Sequence, residues 1–352
     1  MSNQLRVFMP SPNEGWIGDI TTEEFENATT HRCVRDIRVA DVVWMYSKWI
    51  ANHFPIEELK KRPCITTVHH IVPSKGIDIA FFDSFTDVYH VPNDITMGQL
   101  RQLTKKPIIM LPYWVPTAIE HMSIEESIIA QASHSGKNRQ RLYSFQRDTE
   151  GATINYQNPL PKLEKGPDIF VNVAKGRDDY YVCLGGWRRQ YIQKQLPAEQ
   201  WSYGLSYGQK LLNQGIDKPA LATHEDVNVL YNILRQQRGI YLITSRHEGG
   251  PQAVLEASKT MCRILSTNVG IASEVLHPYC IIGDAPGSDD VRGMQLIVEA
   301  FRKKIDETSD EMWNEIVEFN ARSVEKLSIE NVIVAYDKAI SEVHDDFYKN
   351  SR

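Results

Sequence analysis

The chain has 352 residues, 42% of them hydrophobic and 24% charged. That is an ordinary globular composition, too long for one small core, and two domains of roughly 100–200 residues are expected. A net charge of −6, from 39 basic and 45 acidic residues, disfavours a general nucleic-acid binder, which carries a basic excess. No apolar run reaches the roughly 18 residues of a transmembrane helix, and the stretch before Pro10 is too short for a signal peptide. The cysteines, Cys33, Cys64, Cys183, Cys262 and Cys280, are five, scattered and without a CxxC pair. A reducing, cytoplasmic compartment therefore fits better than a disulfide framework or a cysteine zinc site.

Short apolar runs recur along the chain. Leu5–Met9 reads as a first strand ended by Pro10. Asp41–Met45, Cys64–Val68, Ile77–Phe82, Asp87–Val91 and Ile108–Leu111 follow, with the low charge of strands buried on both faces. Polar, helix-compatible stretches such as 97–105 lie between several of them, which is the βαβ rhythm of a parallel sheet. Pro112, Pro116 and the polar stretch His134–Arg141 then mark a connection. The rhythm restarts with strands expected at Leu142–Phe145, Tyr180–Leu184, Leu221–Thr223, Ile240–Thr244, Ile264–Ser266 and Cys280–Ile282. Helices are expected at 167–175, 225–237, 251–261 and 289–305. A final helix from Ser328 to Phe347 carries Ile329, Val332, Ile333, Tyr336, Ile340, Val343 and Phe347 at three- and four-residue spacing. The expected domains are 1–131, 132–327 and this terminal helix, 328–352, whose docking partner the sequence leaves open.

The stretch from Tyr241 to Leu276 reads strand, loop, helix, strand, loop, helix. In it, Glu248-Gly249-Gly250-Pro251-Gln252-Ala253-Val254-Leu255-Glu256 places two glycines where a backbone can approach a ligand and a proline at an expected first helical position. Amides at such a helix start favour an anion, most often phosphate. A pyrophosphate there leaves a carboxylate on each side for sugar hydroxyls, which charged acceptors bind well.

With its flanks Thr244-Ser245-Arg246 and Ser266-Thr267-Asn268-Val269-Gly270, this segment resembles the E-x7-E motif of retaining GT-B glycosyltransferases, especially glycosyltransferase family 4. The resemblance implies an α/β GT-B fold, two Rossmann-like parallel-sheet domains facing a central cleft. It implies a nucleotide-diphosphate sugar as donor substrate, no separate cofactor, and a glycan or other hydroxyl acceptor. By the same resemblance Glu248 meets the donor sugar, Glu256 the nucleotide ribose, and Gly249, Gly250, Pro251 and Gln252 the phosphates. Arg147, after a strand, and Lys165, in Glu164-Lys165-Gly166-Pro167-Asp168, resemble the cation pair that neutralises the donor diphosphate as the leaving group gains charge. They lie 18 residues apart, wider than the family pattern, so 148–163 reads as an insertion, and Arg141 and Lys175 compete with Arg147. Gly185, in a strand-end glycine turn, and His224, near the expected base, are further donor contacts.

Thr66-Thr67-Val68-His69-His70 resembles the family's Thr-Val-His. The resemblance gives His69 a donor-sugar contact at a strand C-terminal end, where open α/β sheets bind ligands. His70 is a neighbour that shapes the cleft. Gly15, between Asn13 and Gly18, is placed near a phosphate or the acceptor, with Trp16 as a sugar-stacking or core residue. Pro112-Tyr113-Trp114-Val115 departs from the family's Pro-Asn-Gly-Val, which puts the cleft-floor contacts in doubt.

Neither Asp-x-Asp nor HExxH occurs, so a metal-dependent site is disfavoured. Residues 1–131 carry 12 basic and 16 acidic side chains without a basic amphipathic helix, which disfavours a membrane-surface acceptor. The expectation is a metal-independent retaining glycosyltransferase, a hexosyl- or related transferase. The alternative is an inactive GT-B sugar- or nucleotide-binding partner protein. A phosphorylase, hydrolase or epimerase of the same shape ranks below both.

Overall fold

The computed structural model describes residues 4–13, 17–73, 75–119, 141–150, 159–177, 180–184, 190–197, 201–204, 231, 234–235 and 239–350. The chain divides into two compact units: Met1–Thr117 with Lys326–Arg352, and Ala118–Glu325.

The first unit is built on six parallel strands: β1 (Arg6–Phe8), β2 (Arg32–Cys33), β3 (Val42–Met45), β4 (Cys64–Thr67), β5 (Val88–Val91) and β6 (Ile108–Met110). Their spatial order is β2-β1-β3-β4-β5-β6. Every residue of β3 and β4 is buried, as both faces of a parallel sheet must be when helices cover them. Val43, Met45, Cys64, Tyr89, Val91 and Leu100 share one core. The helices here are α1 (Ile17–Ala28), α2 (Ile56–Leu59), α3 (Ile79–Asp83) and α4 (Asp94–Leu100). The expected strand at 77–82 is wrong, because its last four residues, Ile79–Phe82, lie in α3. The Asp78 carboxylate accepts the Phe81 amide at 3.0 Å, so an N-cap starts a helical turn that outweighs the β-leaning composition. Asn93 caps α4 in the same way, accepting from Thr96 N at 2.8 Å.

The second unit holds β7 (Arg141–Ser144), β8 (Tyr180–Leu184), β9 (Trp201–Gly204), β10 (Gly239–Ile243) and β11 (Arg263–Ser266), parallel throughout and ordered β11-β10-β7-β8-β9. Helices α5 (Pro167–Ala174), α6 (Tyr191–Gln195), α7 (Gln252–Lys259), α8 (Ala272–Val275), α9 (Val291–Glu307) and α10 (Asp310–Glu325) belong to it. The sequence reading did not mark α10, which buries Trp313, Ile316, Val317 and Val324. The expected strand at 280–282 is instead a 3-10 turn, Pro278–Cys280, followed by one bridge between Ile281 and Ser266. His277 Nδ1 accepts the Tyr279 amide at 3.2 Å, so a capped turn takes up the residues just before Ile281. The expected strand at 221–223 and most of the expected helix at 225–237 lie outside the described residues.

The final helix, α11 (Ile329–Asn350), belongs to the first unit. Val332, Ile333, Tyr336, Ile340 and Val343 are buried, so the apolar stripe does what its period implies. Tyr336 stacks on Trp44 of β3 with ring centroids 5.1 Å apart and an interplanar angle of 14°. Asp337 accepts from Thr29 Oγ1 (2.5 Å), Thr30 N (2.9 Å) and Thr30 Oγ1 (2.6 Å). The chain therefore ends on the unit where it began.

Candidate functional site

In the second unit the strand order runs outward in opposite directions from β7 and β10, which lie side by side. The loops leaving their C-terminal ends diverge at this topological switch point, the place where open α/β sheets bind ligands. Gln146 follows β7 and Ser245 follows β10. Ser245 Oγ lies 3.1 Å from Gln146 Oε1 and 3.1 Å from Glu248 Oε1. Ser245 is wholly buried, so its hydroxyl spends its donor inside this cluster.

Lys165 reaches the same place from a third segment. Its ammonium pairs with Glu248 Oε1, with side-chain exposures of 19% and 11%. At that burial each charge depends on the other or on a ligand for compensation. Gln146 Nε2 donates to Lys165 O at 2.7 Å, and Thr244 Oγ1 donates to Gly166 O at 2.8 Å. The amides of Arg246 and His247 both donate to Glu164 O, at 2.8 and 3.1 Å. Gly166 has φ +62°, and a Cβ on it would lie 1.8 Å from Thr244 O. Only glycine fits so close a backbone approach at that dihedral.

Arg246 ties this turn to α5. Its Nη1 and Nη2 donate to the two Asp168 carboxylate oxygens at 2.8 and 2.7 Å. Nη1 also donates to Leu163 O at 2.8 Å and Nε to Pro286 O at 2.6 Å. The planar guanidinium fork suits such a bidentate grip.

Helix α7 begins just past Glu248. Pro251 is its N-cap, with φ −61° and ψ 106°, rather than its first helical residue as expected, and Gln252 takes that position. The extended ψ lets Val254 N return to Pro251 O at 2.7 Å. Gly270, at φ +55°, packs beneath this start, and a Cβ there would lie 2.5 Å from Gly249 O. That contact explains why a glycine closes the downstream Thr-Asn-Val-Gly run. Within α7, burial pushes the Glu256 carboxyl up from 4.5 to about 7, and a hydrogen bond from Tyr231 opposes the shift. The Tyr231 hydroxyl donates to Glu256 Oε1 at 3.0 Å.

The wide Arg147–Lys165 spacing has a structural account. Lys162 N donates to Asp148 O at 2.8 Å and Glu150 N to Leu160 O at 2.9 Å. The ends of the inserted stretch thus pair with each other and return the chain to the end of β7. Its interior, 151–158, lies outside the described residues. Arg147 is half-buried at the base of this excursion. The neighbouring Asp148 accepts the Ile192 amide at 3.0 Å at the start of α6. Lys175 is exposed at the opposite end of α5 from Lys165, roughly 12 Å along an eight-residue helix.

In the first unit His69 leaves the C-terminal end of β4. Its Nδ1 meets the Tyr113 hydroxyl, and its ring stands edge-on to Tyr46 at 5.0 Å. Burial first, then the nearby His70, His90 and Lys48, push its pKa down to about 3, while a hydrogen bond to the Tyr46 backbone opposes them. The imidazole is therefore neutral at pH 7. The Pro112-Tyr113-Trp114-Val115 departure has a local purpose. Tyr113 orients His69, Trp114 Nε1 donates to Glu24 at 2.7 Å, and Val115 N donates to Leu327 O at 2.8 Å. Behind it, Trp44 Nε1 and Thr67 Oγ1 are 2.9 Å apart, and Thr67 Oγ1 and His90 Nδ1 are 3.0 Å apart. His90 Nε2 lies 3.0 Å from Leu111 O. A neutral His90, its pKa lowered by burial to about 4, completes this chain by donating to Leu111 O.

The structure thus brings Lys165 and Glu248 together at the switch point, with Gly249, Gly250, Pro251 and Gln252 on the adjoining loop and helix start. Glu256 lies inside that helix, and His69 stands in the other unit. Gly15, Gly185 and His224 lie outside the described residues. Gln146, Arg246, Asp168, Tyr231 and Tyr113 were not singled out as site residues. Arg246 and Asp168 sit inside the two quoted motifs, one residue past Ser245 and three past Lys165, and that adjacency was the available signal. Among the described residues no three His, Cys, Asp or Glu side chains gather as a metal-ligand set, and no helix is long and apolar enough to cross a membrane.

No family model matches the sequence, and no curated protein matches it. Solved structures do match the fold. Sucrose-phosphate synthase from Thermosynechococcus elongatus superimposes with a TM-score of 0.66 at 11% identity, over 98% of this chain and 100% of that one. A glycosyltransferase from Rickettsia africae gives 0.58 at 14%, over 97% and 99%. HepE of Anabaena in complex with UDP and glucose gives 0.60 at 10%, over 97% and 100%. The fold is α/β with two parallel sheets, that of the GT-B glycosyltransferases. At such identities the likeness concerns the fold alone.

Proposed function

We propose that the protein is a glycosyltransferase that takes its sugar from a nucleotide-diphosphate donor held by the second unit. One observation carries the reading: a lysine and a glutamate pair at low exposure at the switch point of the sheet, beside the start of α7. An ion pair in that position offers a cation for a diphosphate and a carboxylate for sugar hydroxyls, and a bound donor would separate the two groups and use both. That three of the similar folds are sucrose-phosphate synthase, a glycosyltransferase and a protein captured with UDP and glucose supports the same reading.

In this proposal Lys165 and Arg147 face the diphosphate, assisted by the Gly249–Gln252 loop and helix start. Glu248 accepts hydrogen bonds from the donor sugar and Glu256 from the ribose. His69, which the family resemblance assigns to the donor sugar, is neutral and held by Tyr113 and the Tyr46 backbone. The reaction proceeds with retention, as in glycosyltransferase family 4. The bond from the anomeric carbon to the β-phosphate oxygen breaks, and the acceptor oxygen bonds that carbon from the same face. The acceptor proton passes to the departing phosphate oxygen. Fixed cations stabilise the charge that builds on the leaving group, and positioning supplies much of the rest. No metal is assigned a step, and the acceptor is a glycan or another hydroxyl compound.

The test is a transfer assay with nucleotide-sugar donors, read by release of the nucleoside diphosphate and by the anomeric configuration of the product. Wild type should turn over with an axial or equatorial outcome matching the donor. Glu248→Ala should lose transfer while keeping its circular dichroism, with a lower melting temperature because Lys165 loses its partner. Full transfer by Glu248→Ala, or an inverted product, would overturn the assignment.

A further inference from the structure

One guanidinium joins three segments of the second unit at the place where the donor is proposed to bind. Arg246 grips both oxygens of Asp168 at 2.7 and 2.8 Å, the Leu163 carbonyl at 2.8 Å and the Pro286 carbonyl at 2.6 Å. Its side chain is 8% exposed and that of Asp168 is 15%. Lys165 and Glu248 each lie two or three residues from this grip, one on each side. Lys165 is in the turn between Leu163 and Asp168, and Glu248 is two residues past Arg246. The backbone repeats the tie, because Arg246 N and His247 N both donate to Glu164 O.

We infer that Arg246 and Asp168 are a positioning pair that fixes Lys165 in register with Glu248, and so sets the affinity of the site for the second phosphate of a nucleoside diphosphate. The inference rests on the donor reading above. Lys165 has a long, rotatable stem, and its ammonium is a point charge. Holding such a charge at one spot requires that its backbone be held, and a shift of about 1 Å in a charged contact is costly at low exposure. Asp168 also lies in the first turn of α5, where a carboxylate favours the helix dipole, so the clamp orients the turn and the helix together.

The pair is tested with Asp168→Asn, Arg246→Gln and the double variant, each titrated with UDP and UMP, GDP and GMP, and ADP and AMP. Asp168→Asn keeps the side-chain shape if Arg246→Gln fails to fold. Wild type should prefer one diphosphate over its monophosphate. In both single variants that diphosphate should weaken ten-fold or more while the monophosphate changes less than two-fold, so the preference collapses. The double variant should be no worse than the poorer single one, as expected of two residues acting as a unit. A purely structural clamp would weaken both nucleotides by the same factor, or lower the melting temperature and leave both affinities intact, and either result overturns the inference. Wild type that binds no nucleotide overturns the donor reading itself and the positioning pair with it.

Discussion

Replacing Glu256 by glutamine isolates the cost of a buried carboxylate. Burial raises its pKa from 4.5 to about 7, against the opposing hydrogen bond from Tyr231. Below the unfolded value the group is neutral in both states and has no effect on the balance. Between the two values the folded protein holds a proton that the unfolded chain has released, so stability falls as pH rises. The loss is complete above about 7. A shift from 4.5 to about 7 corresponds to about 3 kcal/mol at 1.36 kcal/mol per unit. Glutamine is neutral throughout and keeps a carbonyl oxygen for the Tyr231 hydroxyl. Wild type and Glu256→Gln should thus melt alike at pH 4.5. At pH 8 the variant should be more stable by about 3 kcal/mol, a difference of roughly 6–12 °C for a unit of this size. Calorimetric scans at several pH values in a common ionic strength measure it. Parallel melting curves across the range would refute the burial account. The gain in stability should coincide with weaker nucleotide binding, because a neutral amide accepts hydrogen bonds from a ribose diol less strongly than a carboxylate.

Three further outcomes follow from the geometry. Gly166→Ala should destabilise the second unit by more than about 2 kcal/mol in urea denaturation, since its Cβ would meet Thr244 O and its backbone would be strained at φ +62°. Lys165→Ala should weaken nucleoside-diphosphate binding by about 10–100-fold, the worth of one charge-assisted contact, and isothermal titration reads it. Asp337→Ala should cost the first unit about 2–3 kcal/mol, because it strips three hydrogen bonds that join α11 to Thr29 and Thr30. The corresponding amide exchange should quicken in α11.

The parallel-sheet strands were legible because they are short, apolar and bounded by turn residues, and β3, β4, β8, β10 and β11 fall within a residue or so of their expected limits. The 77–82 segment was not, because one capping side chain, Asp78, decides between two structures that the apolar composition allows equally. β2 and β9 are edge strands, and β2 has only two residues, too few for a period to register. Helix α10 carries its apolar residues at helical spacing, but they are diluted by acidic neighbours. In the site, Lys165 and Glu248 were legible from their motifs. Their ion pair was not, because it depends on Gly166, Thr244 and Glu164 bringing two distant loops together. The stretched spacing between Arg147 and Lys165 read as a departure, and it resolves as an excursion with paired ends. The placement of α11 depends on Tyr336 finding Trp44 and on Asp337 finding Thr29 and Thr30, which no local pattern encodes.

The central claim is that the second unit binds a nucleoside diphosphate through Lys165 at the switch point. Isothermal titration of wild type and Lys165→Ala with UDP, GDP and ADP tests it most directly. A thermal shift gives an independent readout, since saturation at 100 times the dissociation constant adds about 2.7 kcal/mol. The account predicts that one of the three binds wild type and stabilises it, and that Lys165→Ala, folded as wild type, binds it at least ten-fold more weakly. Equal binding by both proteins, or no binding of any nucleotide by wild type, would contradict it.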